Sequence, residues 1–412
     1  MNKSNCLCRV CSSTISDIFD FGNMPIANNL IPVINDTYTK NEYKYNMKIG
    51  VCINCSSLQI VNVPEKELMF NNQYAYFASQ SEFMKSHFEK LGNKVMQLMD
   101  KEKDYILEIG SNDGIFLKYF ADKQYKHLGV DASENVVETA KKNGVNALCS
   151  FFDEETSIEI NNKYGKAKII VITNTMHHIE NCQEVAKGIN NILAEDGTLI
   201  IEDPYLLDMY KIGSIEQVYA EHNFIWSLHS YKTLFEKHSI KLFDVEHFDT
   251  HGGSMRYYFS KQNLNKTSTM QEYINLELNN KIFDINTFIK FQENCINISK
   301  ELYNFVVSKS KEGKIIAGYG ATAKSATTLN YSNIDKNLIS CIYDSTPFKI
   351  GKYTPGTHIE IKDAKLFTKD SPDYTILFAW NHKKEIIEKE KNNKSKTIWV
   401  EYIPELKLTY EN

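Results

Sequence analysis

Apolar runs of four or five residues recur through the middle of the chain, separated by stretches in which apolar residues return every three or four positions. The runs are Tyr105-Ile106-Leu107-Glu108-Ile109, His127-Leu128-Gly129-Val130-Asp131, Ile169-Ile170-Val171-Ile172 and Thr198-Leu199-Ile200-Ile201-Glu202. Short strands that are apolar on both faces belong to a buried parallel sheet, with amphipathic helices covering its two sides. Glu65 to Phe259 therefore reads as an α/β domain of the doubly wound, Rossmann-like kind. Between Thr267 and Ser310, residues Ile285, Phe288, Ile289, Cys295, Ile296, Leu302 and Val306 keep mixed three- and four-residue spacing, the pattern of a helical connector. A second strand and helix alternation runs from Lys314-Ile315-Ile316-Ala317-Gly318-Tyr319-Gly320 through Leu338 to Tyr343, Tyr374 to Trp380 and Thr397 to Val400. It predicts a second α/β domain, a distant echo of the first. The segment up to Pro64 lacks any such period and reads as an irregular module that depends on a metal in place of a large core. The predicted boundaries are 1–65 for this module, 66–265 for the central domain, 266–310 for the connector and 311–412 for the C-terminal domain.

Composition narrows the class. A chain of 412 residues, 42% hydrophobic and 24% charged, can bury more than one core. Lys plus Arg total 47 against 52 Asp plus Glu, with no long basic block, so nothing favours nucleic acid and small molecules are the expected partners. No apolar stretch approaches the roughly 20 residues of a membrane span, and the polar start is unlike a signal peptide, so a soluble cytoplasmic protein is expected. Nine cysteines then read as free or metal-bound thiols. Cys149, Cys182, Cys295 and Cys341 are assigned to packing.

The remaining cysteines carry the most specific local signal. Cys8-x-x-Cys11 and Cys52-x-x-Cys55 can complete a tetrahedral zinc site, with Cys6 as a spare thiol. Four sulfur ligands leave no position for substrate, so this zinc is expected to fold the module and take no part in catalysis.

The second motif is Leu107-Glu108-Ile109-Gly110-Ser111-Asn112-Asp113-Gly114, a strand running into a tight turn and a helix expected to begin near Ile115. A dinucleotide fingerprint has three glycines, whereas Asn112 stands in the middle position here. Glu108 at the strand end would repel a pyrophosphate but suits a ligand bearing an ammonium group. Asp131, ending the next strand, can accept ribose hydroxyls. These features describe an S-adenosylmethionine site better than a dinucleotide site, with Phe151 and Asn174 as further wall residues. The third constellation is Tyr219-Ala220-Glu221-His222, which supplies the parts for proton abstraction beside a ketone: His222 as base, Glu221 to orient or charge-stabilise it, and Tyr219 to polarise a carbonyl. His178 follows the strand that ends at Asn174 and emerges at the same edge.

At this point the chain resembles the sugar C-methyltransferases of deoxysugar pathways, including the C3-methyltransferases of nucleotide-linked 4-keto-6-deoxysugars. The resemblance spans the chain in order: Cys8-Arg9-Val10-Cys11, Cys52-Ile53-Asn54-Cys55, Tyr74-Ala75-Tyr76, Glu108 to Gly114, Tyr219 to His222, His251-Gly252-Gly253-Ser254-Met255-Arg256, Gly318-Tyr319-Gly320-Ala321-Thr322-Ala323-Lys324 and Tyr353-Thr354-Pro355-Gly356-Thr357. It implies a zinc module, an S-adenosylmethionine domain and a C-terminal domain that holds the nucleotide sugar. It also implies that His222 is the base, supported by Glu221 and Tyr219, with His178 and Tyr76 near the reacting groups. Gly318, Tyr319, Gly320 and Lys324 correspond to the nucleotide-sugar segment, and Arg256 is counted with them as substrate-binding. The expected reaction removes a proton next to a 4-keto group, and the resulting enolate attacks the sulfonium methyl. Sugar O-methylation with the same cofactor and a non-catalytic nucleotide-sugar binding protein stand beside this reading.

Overall fold

The computed structural model describes residues 3–70, 78–80, 82–392 and 396–410. At the N-terminus, β1 (Lys3–Leu7), β2 (Thr14–Pro25), β3 (Lys44–Cys52) and β4 (Ser57–Ile60) form an antiparallel sheet in that order. The segment expected to be irregular thus holds a four-stranded sheet of its own. Register shifts between Asp17 and Phe19 and between Asp20 and Gly22 explain why its period was hidden. These bulges let Ile18, Phe19 and Phe21 all reach the core, which erases the alternation of a regular strand.

The central sheet is built from β5 (Tyr105–Ile109), β6 (Lys126–Asp131), β7 (Ala147–Cys149), β8 (Ala167–Thr173) and β9 (Leu193–Pro204), all parallel. The two-residue β10 (Phe224–Ile225) leaves this domain and pairs with β4, closing the N-terminal sheet at five strands. Then β11 (Lys241–Phe248) and β12 (Ser254–Ser260) complete the seven-stranded order β11-β12-β9-β8-β5-β6-β7, with β12 antiparallel to both neighbours. Leu107, Ile109, Ile170, Ile172, Leu199 and Ile201 pack into one core, and Ile106, Ile169, Val171 and Ile200 into another across the sheet. That two-sided burial is why these strands read as continuous apolar runs. The chain order reverses between β5 and β8, so the loops at their carboxyl ends border the crevice where such sheets bind ligands.

The helix after β5 starts later than expected, at Lys118, and ends at Asp122. Left-handed backbone at Asn112 (φ 47°) and Gly114 (φ 79°) prolongs the turn before the helix can form. Cys149 departs from its assignment to packing: it lies exposed on the edge strand β7, whereas Cys182, Cys295 and Cys341 are buried.

The connector divides in two. Glu277, on the helix Ser268–Asn279, accepts bonds from the Leu228 and His229 amides and the Tyr205 hydroxyl, which ties that helix to the central domain. The 27-residue helix Ile285–Lys311 then buries Phe288, Phe291 and Cys295 in the N-terminal core and Leu302 and Val306 in the C-terminal one. In the C-terminal domain, β13 (Ile316–Tyr319), β14 (Ile342–Asp344), β15 (Ile361–Asp363), β16 (Tyr374–Leu377) and β17 (Ile398–Glu401) are parallel, and β18 (Lys407–Tyr410) is antiparallel to β17. Their order is β15-β14-β13-β16-β17-β18. Among the described residues no helix is long and apolar enough to cross a membrane.

Candidate active site

Cys8, Cys11, Cys52 and Cys55 converge, with all four sulfur atoms within 4.8 Å of one another. Each cysteine pair sits on a turn whose next residue, Ser12 (φ 64°) or Ser56 (φ 52°), is left-handed, which folds the sulfurs toward a common centre. Gln59 Nε2 donates to Cys8 Sγ at 3.2 Å, a bond that favours thiolate. Hydrogen bonds from Cys52 and Cys55 lower the Cys8 thiol, while the same crowding raises Cys55. Four thiols in this space cannot all ionise without a cation, so the donor set fits Zn²⁺.

At the end of β5 the turn approaches β8 closely: a Cβ at Gly110 (φ 74°) would lie 2.1 Å from Thr175 Oγ1. Asp131 ends β6 and accepts from the Asn112 amide and the Ser133 amide, each at 2.9 Å. Asn112 Oδ1 takes the Ala78 amide and Asp113 Oδ2 the Ser79 amide, both at 3.0 Å, so the segment before the helix Glu82–Met96 is fastened to this turn. Glu108 is buried, and burial, then Asp131 and Asp113, push its carboxyl well above the usual range. Glu108 Oε2, Ser111 Oγ and Asp113 Oδ1 are buried without a hydrogen-bond partner among the described residues. An acidic pocket with unspent acceptors fits a cationic amino acid carrying ribose hydroxyls. Asn174 (φ 50°) ends β8 at the same edge, and Lys66 Nζ lies 4.0 Å from the centre of the Phe151 ring.

Next to this edge three imidazoles meet. His177 and His178 lie on the turn Met176–His178 after β8, and His222 on the loop before β10, with ligating atoms within 4.8 Å of one another. His222 Nδ1 donates to Gln217 O at 2.6 Å, His178 Nδ1 to Glu221 O at 2.8 Å, and His177 Nδ1 lies 2.6 Å from Asp203 Oδ1. His177 Nε2 and His222 Nε2 face each other at 3.2 Å. Burial holds His177 and His178 at about 3 and His222 well below the usual histidine range, so each ring is neutral near pH 7. The Tyr219 ring lies against His222 with centroids 3.8 Å apart. Glu221 corrects an expectation: its carboxylate accepts from Asn28 Nδ2 at 2.6 Å and does not orient His222. Gln217 O and His177 do so instead, because the loop turns the Glu221 side chain back onto the N-terminal module. Sequence reasoning passed over His177 and Asp203, although both stand in the Met176-His177-His178 and Glu202-Asp203-Pro204 runs that flank the expected residues. Tyr76 lies outside the described residues.

The C-terminal domain reaches this centre through Lys324, on the helix Ala323–Tyr331. Its half-buried ammonium donates to His251 O at 3.0 Å, lies 4.9 Å from the Trp380 ring centre and is held down to about 8 by desolvation. Its charge acts on Glu216 and on His222. Tyr319, in contrast, is a core residue: its hydroxyl donates to Glu390 at 2.7 Å and its ring packs on Phe367 and Trp399. Gly318 and Gly320 permit close strand packing, since a Cβ would lie 2.6 Å from Phe378 or Ala379 respectively. Asp344, at the end of β14, accepts from the Ala321 and Thr346 amides at 2.8 Å, the same arrangement as Asp131 in the central domain. An acid at the end of the next strand after each glycine turn was the signal that could have found it.

Arg256 spends its guanidinium on Glu202 (2.6 Å) and Glu246 (3.3 Å), beneath the Phe248 ring, with Glu202 also bonded to His87. That is the geometry of a buried ion pair, not of an open substrate clamp. Arg256→Ala is expected to strand the Glu202 carboxylate and lower stability by about 3–5 kcal/mol, measured by urea unfolding, with an effect on folding larger than on substrate KM.

A doubly wound domain with an acidic turn at its switch point, joined to a zinc module, is the architecture of an S-adenosylmethionine-dependent methyltransferase. The sequence matches three family descriptions along its length: a zinc binding domain over residues 8–70, a methyltransferase domain over 80–242 and a C-methyltransferase C-terminal domain over 249–404. It is 30% identical over 388 residues to the C-methyltransferase NovU of Streptomyces niveus, covering 93% of this chain and 92% of that one. The chain belongs to this family of S-adenosylmethionine-dependent C-methyltransferases. Solved structures with more distant likeness include a methyltransferase from Anabaena variabilis (14% identity, TM-score 0.36, 44% of this chain and 86% of that one). Another is a methyltransferase from Clostridium acetobutylicum (13%, TM-score 0.34, 44% and 93%).

Proposed function

We propose that this enzyme methylates a ring carbon of a nucleotide-linked keto-sugar in the cytoplasm, with His222 removing the proton next to the keto group. The observation that supports it most is the neutral His222 ring between the two α/β domains: Gln217 O fixes its proton on Nδ1 and leaves the lone pair on Nε2. The Lys324 ammonium, whose charge reaches His222, would stabilise the oxyanion that develops on the keto oxygen. His178 and Tyr219 line the same centre, and Tyr76 is carried with them on resemblance.

S-adenosylmethionine supplies an electrophilic methyl group on a sulfonium sulfur. Glu108, Gly110, Asn112, Gly114, Asp131, Phe151 and Asn174 would hold it, with Glu108 facing the ammonium and Asp131 the ribose. Asp131→Ala is expected to weaken its binding roughly 10- to 100-fold, read by calorimetry, since hydrogen bonds to a charged acceptor contribute about 1.5–3 kcal/mol. In the C-terminal domain, the Gly318 to Gly320 turn and Asp344 form the second nucleotide-binding edge, where the sugar's nucleotide would lie.

The test is to incubate the enzyme with methyl-labelled S-adenosylmethionine and a panel of nucleotide 4-keto-sugars, then locate the label by carbon NMR. A label on a ring carbon is expected. A label on oxygen would replace the reading by O-methylation, and transfer to sugars lacking a keto group would remove the enolate.

A further inference from the structure

The three imidazoles share one pattern on their outer side. His178 Nδ1 donates to Glu221 O and His222 Nδ1 to Gln217 O, while His177 Nδ1 meets Asp203 Oδ1, whose Oδ2 takes the Tyr231 hydroxyl. A carbonyl only accepts, so the protons of His178 and His222 are fixed on Nδ1 and their lone pairs lie on Nε2. A backbone carbonyl or carboxylate behind each ring is the arrangement that orients histidine toward a metal ion. The ligating atoms of all three rings lie within 4.8 Å of one another, and His177 Nε2 and His222 Nε2 stand 3.2 Å apart. Two nitrogens bound to one Zn²⁺ at about 2.0–2.1 Å in a tetrahedral site are about 3.3 Å apart. Burial keeps the rings neutral near pH 7, the form that binds metal.

We propose that His177, His178 and His222 form a second divalent-cation site, for Zn²⁺, and that an ion there switches the enzyme off by occupying the lone pair of the base. The block rests on His222 being the base; the site itself does not. Without metal, one hydrogen lies between His177 Nε2 and His222 Nε2. The ion takes its place. That hydrogen leaves to water as a proton, the proton between His177 Nδ1 and Asp203 Oδ1 stays where it is, and each Nε2 gives its lone pair to the metal. His222 then has no lone pair left for a substrate proton. Imidazole nitrogen suits Zn²⁺ and its neighbours in the first row, whereas Mg²⁺ prefers oxygen ligands. Three protein ligands leave a fourth position to water. The Lys324 ammonium, whose charge reaches His222, opposes a cation here. This ion is therefore held more weakly than the one among the four thiolates, and the block is reversible.

The test uses enzyme dialysed against EDTA that retains its cysteine-bound zinc. Titration with Co²⁺ should add one ion per chain, with visible bands of nitrogen and oxygen ligation and no thiolate charge transfer, which tells the two sites apart. Zn²⁺ should displace the Co²⁺ and stop both methyl transfer and deuterium exchange at the substrate carbon, and EDTA should restore them. Mg²⁺ should do neither. His177→Gln should lose the cobalt bands while keeping the cysteine-bound zinc, and its remaining activity should resist Zn²⁺. Asp203→Asn, behind the ligand, should weaken Co²⁺ binding roughly 10- to 100-fold. His178→Gln replaces His177→Gln if that variant folds poorly. No ion beyond the first in wild type, or a second ion bound equally by both glutamine variants, would overturn the site. A second ion that leaves exchange and methylation unchanged or faster, with His222→Ala inactive in exchange, would overturn the block and leave the base intact. Exchange that survives His222→Ala would overturn the base, and the block with it.

Discussion

His222→Ala lowers kcat at least about 10³-fold and abolishes solvent deuterium exchange at the substrate carbon, while S-adenosylmethionine binds within about twofold of wild type. General base groups contribute roughly 10²–10⁴-fold, which sets the scale of the loss. Burial and the neighbouring cation lower the proton affinity of His222, so the ring stays neutral through pH 7 and protonates only in acid. Activity should therefore be flat near neutrality and fall on the acid side. Three measurements check this: exchange by NMR without methyl donor, single-turnover methylation and calorimetric binding of the cofactor. Exchange at the wild-type rate would assign the base to another group. His178, whose Nδ1 is committed to Glu221 O, would then be examined first.

What the sequence shows about this enzyme depends on whether each signal is local. β5, β6, β8 and β9 were legible because burial on both faces turns them into apolar runs. β2 was not, because its bulges put Ile18, Phe19 and Phe21 on the core side together. The glycine turns, Asp131 and the cysteine pairs were legible because their chemistry needs fixed spacing. Directions of side chains were not. Glu221 stands next to His222 in the chain yet bonds to Asn28, and Asp203 is far from His222 in sequence yet one ring away in space. Arg256 and Tyr319 sit in motifs that resemble substrate-binding segments, but tertiary partners, Glu202 for one and Glu390 for the other, claim their polar atoms.

Removing the zinc is expected to silence the enzyme even though the metal touches no reactant. The route is structural and traceable. Arg9, between Cys8 and Cys11, donates to Ile60 O at 2.7 Å and to Asn223 O at 3.2 Å, and the Ile60 amide donates to the same Asn223 carbonyl at 3.0 Å. Phe224 and Ile225, next in the chain, pair with β4, which follows Cys55. Asn28 holds Glu221, so the residues on both sides of His222 are fastened to the zinc-supported sheet. On its other flank the knuckle offers Arg9 O and Val10 O to Gln183 and Val10 O to Lys237 of the central domain. Structural zinc contributes on the order of 10–16 kcal/mol to folding of small finger peptides, and this sheet has a core of its own, so the loss here is expected to be smaller and local. Cys52→Ala should reduce zinc from one ion per chain to none, open the N-terminal module to limited proteolysis and lower kcat at least about 100-fold, the scale set by misplacing a reacting group by about 1 Å. Affinity for S-adenosylmethionine should change much less, because Glu108 and Asp131 belong to the central sheet. Zinc content, proteolysis and calorimetry on the same preparation separate the two effects. Full activity in a zinc-free variant would show that the sheet positions His222 without the metal.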